Sequence, residues 1–251
     1  MDRLLLSNNL CFDDFNFNLF ALVMNSIVIK IGGSILYDDD LKINVEFLEK
    51  VINWFENQRN YENVVFVVGG GKIGRFLLNQ VKENISSDSP KHRVGIKVTR
   101  VNATIFLGLF NSKDVAYFES ISELCSAVKQ DTKGAIIGGV VEGWSTDMVA
   151  ANIASSLGLK MVHKISNINY IYSADPNKGG NPEPFKELTW EEYIKIFHNQ
   201  IGYKHKPGMN APIDIECSLF CREERIAFRV SGGDLDLDIM KLLNSGTLVS
   251  P

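Results

Sequence analysis

Three glycine-rich segments of the chain each follow a short apolar run and contain residue types that bind phosphate. They are Lys30–Ser34 (KIGGS), Gly69–Arg75 (GGGKIGR) and Gly138–Gly139. Glycines allow the backbone to approach a phosphate closely, and N–H groups at a following helix N-terminus attract its charge. A lone glycine cluster is more often a tight turn, and none of the three forms a P-loop or a convincing dinucleotide fingerprint. Three such segments in one chain therefore predict an anion-binding site of another type.

Charged residues accompany these glycines. Lys30 lies inside an otherwise apolar run directly before a glycine pair, a position that favours a functional lysine over one that snorkels from a strand edge. Arg75 would grip a phosphate with two hydrogen bonds, and its alternative is an exposed helix-face charge. Asp147 follows Ser145 and Thr146 at the start of a helical pattern, which is also an ordinary helix N-cap.

The elements that must position these residues are short apolar runs separated by helical patterns. The runs predicted to be strands are Ile27–Ile31, Val64–Val68, Val115–Phe118, Ala135–Ile137, Met161–Ile165, Arg225–Val230 and Thr247–Val249. Their continuous apolarity is typical of strands buried on both faces. Apolar residues at helical spacing predict helices over Val45–Gln58, Ile73–Lys82, Glu119–Lys129 and Asp147–Leu157. The polar segments Glu83–Arg93 and Asp175–Pro184 are predicted to be loops.

This alternation predicts an α/β protein, a three-layer α/β/α sandwich with a mostly parallel central sheet. Ligands of such sheets bind outside the carboxyl ends of the strands, where the three glycine segments stand. We expect residues 24–251 to form a single domain, and residues 1–23, which precede a second methionine at Met24, to be an N-terminal extension outside the core.

Composition excludes several classes of protein. The 251 residues carry a net charge of −4, which argues against a nucleic-acid binder, because phosphate-backbone binding needs an excess of clustered Lys and Arg. The 4 cysteines are scattered and show no metal-ligand spacing with the 4 histidines, so we expect reduced thiols and no protein-bound metal. No apolar run approaches the ~20 residues of a membrane span. A cytoplasmic location is expected.

Several segments resemble, in order, those of the uridylate (UMP) kinases, especially the archaeal branch: IVIKIGGSIL, VVFVVGGGKIGR, VGIKVTRVNA, STDMVAANIA, SNINYIYSADP, KPGMNAPID and GTLVSP. The similarity runs from about Ile27 to Pro251. It implies the amino-acid-kinase (carbamate-kinase-like) fold and transfer of the ATP γ-phosphoryl group to UMP, with Mg²⁺ accompanying ATP. It also implies that the N-terminal part binds the acceptor and the C-terminal part binds ATP, in a homo-oligomer, by family resemblance a hexamer.

The resemblance implies a role for each matching residue. Lys30 and Asp147 would be catalytic, with Asp147 organising the catalytic lysines. ATP would contact Gly32, Gly33, Ser34, Gly71, Arg75, Ser166, Asn167, Tyr172, Asp175 and Lys206. The acceptor would contact Gly70, His92, Gly139, Val140, Val141, Glu142, Gly143, Trp144, Ser145 and Thr146.

Departures from the family pattern concentrate on the acceptor side. His92 stands where the family usually has an aspartate that contacts ribose, and Val141–Trp144 (VEGW) replaces a His-Pro-Gly-His type of loop. On the ATP side, Asn169 and Tyr170 replace an acid and a glycine, so the local turn is expected to differ. Open alternatives are a kinase of another phosphorylated or carboxylated metabolite, such as isopentenyl phosphate or acetylglutamate, and a non-catalytic nucleotide- or anion-binding homologue.

Overall fold

A computed structural model of the chain describes residues 26–81, 83–174, 182–198, 211–232 and 238–251. The predicted extension 1–23 and the predicted ATP-site residues Asp175 and Lys206 lie outside these ranges. Within these ranges, no helix has both the length and the apolarity that a membrane crossing requires.

The centre of the molecule is a mixed but mostly parallel sheet. Its strands and those of a small hairpin are β1 (Ser26–Ile31), β2 (Asn63–Val68), β3 (Val115–Phe118), β4 (Gly134–Ile137), β5 (Met161–Ser166), β6 (Ile171–Tyr172), β7 (Pro184–Phe185), β8 (Glu187–Thr189), β9 (Ala227–Gly232) and β10 (Thr247–Ser250). The eight-stranded sheet that the described residues form has the order β3-β4-β2-β1-β5-β9-β10-β8. Pairing is parallel throughout except between β9 and β10, and β6 pairs antiparallel with β7 in a separate ribbon. Every apolar run that we predicted to be a strand overlaps one of these strands.

Helices cover both faces of the sheet. Those of the described residues are α1 (Val45–Asn57), α2 (Gly71–Val81), α3 (Asp88–Gly108), α4 (Ile121–Lys129), α5 (Thr146–Ser156), α6 (Trp190–Phe197), α7 (Ile215–Glu224) and α8 (Ile239–Asn244). Alternate strand residues point to opposite faces, so Val65 and Val67 join a core with α4 to α7, whereas Val64 and Phe66 join one with α1, α3 and α8. The predicted three-layer α/β/α sandwich with a mostly parallel sheet is confirmed.

The predicted loop Glu83–Arg93 is wrong over its second half, because α3 begins at Asp88. Pro90 favoured a loop in the sequence, but it lies in the first turn of the helix, where backbone N–H groups have no intrahelical partner to lose. Asp88 adds a negative charge at the positive end of the helix dipole. His92 and Arg93 are therefore helical residues.

Two further predicted boundaries change in the structure. Arg225 was predicted to begin a strand, yet it ends α7 in the left-handed conformation with φ 55°, and β9 begins at Ala227. Of the predicted loop Asp175–Pro184, residues 175–181 lie outside the described ranges, and Pro184 forms part of β7. Four helices were not predicted: α3, α6, α7 and α8.

Candidate active site

The first two glycine turns touch one another. β1 and β2 are neighbouring parallel strands with Ile31 opposite Val68, so the turns that follow them meet at one edge of the sheet. A Cβ atom on Gly33 would collide with the backbone of Gly71, and one on Gly71, whose φ is +65°, would collide with Gly33. Glycine is required at both positions by close approach of two backbones, and at Gly71 also by its conformation.

Helix α3 joins the second glycine turn to the third. The side-chain amide of Asn102 donates to the carbonyl oxygens of Gly69 (2.8 Å) and Gly70 (3.2 Å). One turn earlier, the hydroxyl oxygen of Thr99 accepts a hydrogen bond from the N–H of Gly139 at 2.6 Å. Both side chains are buried. Sequence analysis missed them, although two polar residues at helical spacing on a buried face were a usable signal.

Lys30 and Asp147 form a buried ion pair between β1 and α5. Lys30 is the fifth residue of β1, and its Nζ lies 3.1 Å from Oδ1 of Asp147 in the first turn of α5. Both residues are only 7% exposed. The alternative of a lysine snorkelling into solvent is therefore wrong for Lys30.

The same carboxylate binds a second lysine that sequence analysis did not single out. Lys164 of β5 is the register partner of Lys30, and its Nζ donates to Oδ2 of Asp147 at 2.5 Å. It also donates to the carbonyl oxygen of Pro212 and is 6% exposed. A signal was present, because the run MVHKI has Val, Lys and Ile at the same places as IVIKI, and a lysine within an apolar strand is costly unless it is paired.

Burial and charge set the protonation of this cluster. Burial lowers the pKa of Lys30 to about 8; the nearby carboxylate of Asp147 opposes the shift, and the ammonium of Lys164 adds to it. Burial by itself would raise the pKa of Asp147, but the positive charges of Lys164 and Lys30 outweigh it and hold that pKa below its ordinary value. An ionised carboxylate thus lies between two buried lysines.

The segment from Ser145 to Asp147 both caps α5 and supplies the carboxylate of the buried cluster. Ser145 is the N-cap, since its hydroxyl oxygen accepts from the N–H of Met148 at 3.0 Å, which leaves Asp147 to face the lysines. The Ser145 hydroxyl also donates to Oδ2 of Asp214 at 2.5 Å. Asp214 in turn caps α7 by accepting from the N–H of Cys217 at 2.9 Å. Two helix N-termini, each with a partial positive charge, therefore lie together beside the cluster.

On the predicted ATP side, the first glycine turn is tied to the segment after β5. The N–H of Gly32 donates to the Ile165 carbonyl oxygen at 2.7 Å, and the Ser34 hydroxyl donates to the Asn167 side chain at 3.0 Å. Ser166 is buried, whereas Tyr172 lies farther along, in β6.

The turn that lacks the family glycine needs no left-handed residue. Among the described residues other than glycine, only Leu41, Asp131 and Arg225 have positive φ, so neither Asn169 nor Tyr170 is strained. We expected this turn to differ from the family pattern. In the structure, Asn169 and Tyr170 both have a φ value that any residue can adopt.

On the predicted acceptor side, the start of α3 contacts the loop after β4. The Ser89 hydroxyl donates to Oε2 of Glu142 at 2.7 Å, and Nε of Arg93 lies 3.4 Å from its Oε1. His92 is exposed in the same helical turn. In the loop, Val141 and Trp144 are exposed, Gly143 has φ +86°, and Val140 packs against the core. Thr146, the first residue of α5, is half-buried.

One predicted ligand, Arg75, stands apart from the buried cluster. Arg75 is exposed on α2, and no hydrogen bond or ion pair joins it to another residue that the structure describes. For metals, the described part of the chain contains no group of three or more His, Cys, Asp or Glu side chains that would hold an ion. Asp147 is already bound by two lysines. A divalent ion would therefore enter the site bound to the phosphates of the nucleotide.

Comparison with known proteins identifies the family of the chain. The model of the amino acid kinase family matches residues 25–230. The uridylate kinase of Thermococcus sibiricus is 28% identical over 228 residues, which cover 90% of this chain and 99% of that relative. The uridylate kinase of Methanospirillum hungatei is 30% identical over 197 residues, which cover 76% of this chain and 79% of that relative.

Solved structures share the fold. The uridylate kinase of Archaeoglobus fulgidus superposes with a TM-score of 0.70 at 24% identity, covering 89% of this chain and 99% of the other. The UMP kinase of Bacillus anthracis gives a TM-score of 0.71 at 18% identity, covering 90% and 96%. The matched segment contains the glycine turns, Lys30 and Asp147, and the chain therefore belongs to the amino acid kinase family.

Proposed function

We propose that this protein is an ATP-dependent UMP kinase, which transfers the γ-phosphoryl group of ATP to UMP to give UDP and ADP, a step of pyrimidine nucleotide biosynthesis. The relatives that align over nearly their whole length are uridylate kinases. The observation that carries the proposal is the buried Lys30–Asp147 pair, whose lysine belongs to the strand that leads directly into the first of two touching glycine turns. None of the comparisons favours the alternative acceptors or a non-catalytic role.

The chemistry requires positioning more than proton transfer. An oxygen of the UMP phosphate forms a bond to the γ-phosphorus, and the bond from that phosphorus to the bridging oxygen of ADP breaks. Negative charge spreads over the transferring group as this happens. The ammonium of Lys30 would stabilise that charge, with N–H groups of Gly33 and Gly71 as further donors, whereas the N–H of Gly32 is already bound to the Ile165 carbonyl oxygen.

The two substrates would approach from opposite sides of the glycine turns. ATP would bind to the C-terminal part of a single domain of residues 24–251, against Ser34, Ser166, Asn167 and Tyr172. UMP would bind to the N-terminal part, against Gly70 and His92 and the loop from Gly139 to Thr146. Glu142 contacts Ser89 and Arg93, which supports an acceptor site whose side is already formed before UMP binds.

Mg²⁺ would accompany ATP and neutralise part of its phosphate charge when bound. Backbone donors of the glycine turns and the two buried lysines fit a metal-bound polyphosphate, because they bind oxygen anions without competing for the ion.

A homo-oligomer is also part of this proposal. Helices α2 and α3 pack against each other and expose Phe76, Leu77, Val81 and Val101, with Val101 56% exposed. A second copy that covers these side chains would remove an apolar patch from water. Light scattering would give the number of subunits, with a hexamer as the expected result.

The test is ATP consumption with Mg²⁺ and a panel of acceptors: UMP, CMP, AMP, isopentenyl phosphate and N-acetylglutamate. We expect turnover with UMP to exceed that with every other acceptor. Preference for another acceptor would contradict the substrate assignment alone. Nucleotide binding without turnover of any acceptor would contradict the kinase assignment.

A further inference from the structure

The second glycine turn is held from one side by Asn102 of α3. The amide nitrogen of the Asn102 side chain donates to the carbonyl oxygens of both Gly69 and Gly70. The amide oxygen of the same side chain accepts a hydrogen bond from the hydroxyl of Tyr37 at 2.5 Å. A carbonyl oxygen can only accept a hydrogen bond, so the nitrogen must face the turn and the oxygen must face Tyr37. These partners together fix the orientation of the Asn102 side chain.

The Tyr37 hydroxyl is a donor that keeps its proton. Tyr37 is buried in the loop after the first glycine turn, where it pairs with Ile43 in an isolated β-bridge. Burial raises the pKa of Tyr37 above its ordinary value, so the hydroxyl stays protonated. Through Asn102, Tyr37 therefore links the loop after β1 to the second glycine turn.

The contacts with Asn102 also decide where two backbone N–H groups point. In a trans peptide unit, the C=O and N–H bonds point in opposite directions. The Gly69 carbonyl shares its peptide unit with the N–H of Gly70, and the Gly70 carbonyl shares its unit with the N–H of Gly71. Both carbonyls face Asn102, so both N–H groups point away from it. The nitrogen of Gly71 lies against the first glycine turn, since a Cβ atom on Gly33 would be 1.9 Å from it.

The peptide unit between Gly69 and Gly70 has few other restraints. Glycine on both sides allows it to rotate, because glycine adopts positive and negative φ about equally well. Among the described residues, Asn102 alone donates to the Gly69 carbonyl oxygen. The Gly70 carbonyl has a further donor in the N–H of Gly74 at 3.3 Å, at the start of α2. The orientation of the first of these two peptide units therefore depends on Asn102.

We propose that Asn102 is a positioning residue for phosphoryl transfer: it holds the peptide unit between Gly69 and Gly70 so that the N–H of Gly70 faces the substrate phosphates. This inference rests on the proposed kinase function and adds a residue of α3 to it. Within the described ranges, the N–H groups of Gly70 and Gly71 donate to no acceptor of the protein, as donors to a phosphate require. Donors that are already oriented stabilise developing charge without rearrangement at the moment of reaction.

The experiment compares Asn102→Asp with the wild type and with Asn63→Asp. Asn63 is a matched control, because it is buried, accepts from the Ser26 hydroxyl at 2.9 Å and donates to the Thr132 carbonyl oxygen at 3.1 Å. It lies at the opposite end of β2 from the second glycine turn. An ionised aspartate cannot donate to a carbonyl oxygen, so both variants lose the same kind of contact at unchanged size.

We expect Asn102→Asp to lower kcat by about tenfold or more, while the KM values for ATP and UMP each change by less than about threefold. Asn63→Asp should keep kcat within about twofold of the wild type. Should an aspartate variant fail to fold, Asn102→Ala and Asn63→Ala give the same comparison.

Non-additivity provides a second measurement. Tyr37→Phe removes the hydroxyl that orients the Asn102 amide, so it should lower kcat by about threefold. In the Asn102→Ala background the hydroxyl has no amide left to orient, so the added Tyr37→Phe change should lower kcat no further. An additional loss of kcat in the double variant would contradict the inference.

A merely structural role for Asn102 would lower thermal stability and leave kcat per folded molecule unchanged. Wild-type kcat in Asn102→Asp would overturn the inference, as would a loss seen only in KM or an equal loss of kcat in Asn63→Asp. Absence of turnover in the wild type with every acceptor would instead overturn the proposed function, and the inference with it.

Discussion

Lys30 and Lys164 are register partners on the neighbouring parallel strands β1 and β5, and the carboxylate of Asp147 lies between their ammonium groups. Two like charges in this buried position repel each other, and one carboxylate compensates only one of them. The protein therefore stores unfavourable electrostatic energy where an anionic substrate would relieve it. Activity and stability should respond in opposite directions when one of the lysines is removed.

Replacement of Lys30 by methionine should lower activity without lowering stability. We expect kcat to fall by about 100-fold or more, because the ammonium acts on charge that develops in the transition state. ATP affinity should change little, and thermal stability should be equal to or above that of the wild type, since the surplus charge is gone. Steady-state kinetics, calorimetric titration of ATP and thermal unfolding measure the three quantities. The control is Lys129→Met, an exposed lysine at the end of α4; a near-normal kcat in Lys30→Met would remove Lys30 from the mechanism.

Replacement of Asp147 by asparagine should have the reverse effect on stability. It leaves two buried lysines without a counter-charge, which is expected to cost about 3–5 kcal/mol of unfolding free energy near neutral pH. Urea denaturation should compare the unfolding free energy of Asp147→Asn with that of Lys164→Met. In Lys164→Met the remaining charges, on Lys30 and Asp147, balance each other. Equal stability of the two variants would show that the cluster does not carry the charge surplus described above.

The pKa of Lys30 near 8 predicts opposite pH trends for activity and stability. Catalysis needs the protonated ammonium, so kcat/KM should fall as pH rises through about 8. Over the range from about 8 to the ordinary value of 10.5, the unfolded chain binds the proton that the folded chain has lost, so the contribution of Lys30 to stability rises with pH. The unfolding free energy of the wild type minus that of Lys30→Met, measured at each pH, isolates this contribution. A difference that falls with increasing pH would contradict the lowered pKa.

The glycine turns predict a sharp contrast between two glycine-to-alanine changes. Gly71→Ala places a side chain at φ +65° and against the backbone of Gly33, so it should cost at least about 1–2 kcal/mol and abolish turnover. Gly95→Ala lies inside α3 with no atom within 4 Å of the added Cβ, and it should stabilise the protein by about 0.5–1 kcal/mol. Chemical denaturation measures both, and tolerance of Gly71→Ala would show that the turns do not make the close contact described.

Much of this protein was determined by local sequence. Continuous apolar runs specified the buried strands, and the glycine pair after Lys30 marked one strand end as an anion site. The apolar run is also the reason that Lys30 could be singled out, since a lysine at such a position needs a partner or a function. The roles of all the predicted site residues stay predictions, and two of those residues, Asp175 and Lys206, lie outside the described ranges.

Only the tertiary structure decided which side chains act together. Apolarity does not specify strand order, so the pairing of β1 with β5 that brings Lys164 to Asp147 was invisible in the sequence. The polar first turn of α3 kept its start from being predicted. The contacts of Thr99 and Asn102 with the glycine turns were therefore not predicted either. The physical reason is the same in both cases: burial and turn chemistry act between neighbours in the chain, whereas charge balance depends on groups that only the folded sheet brings within a few ångströms.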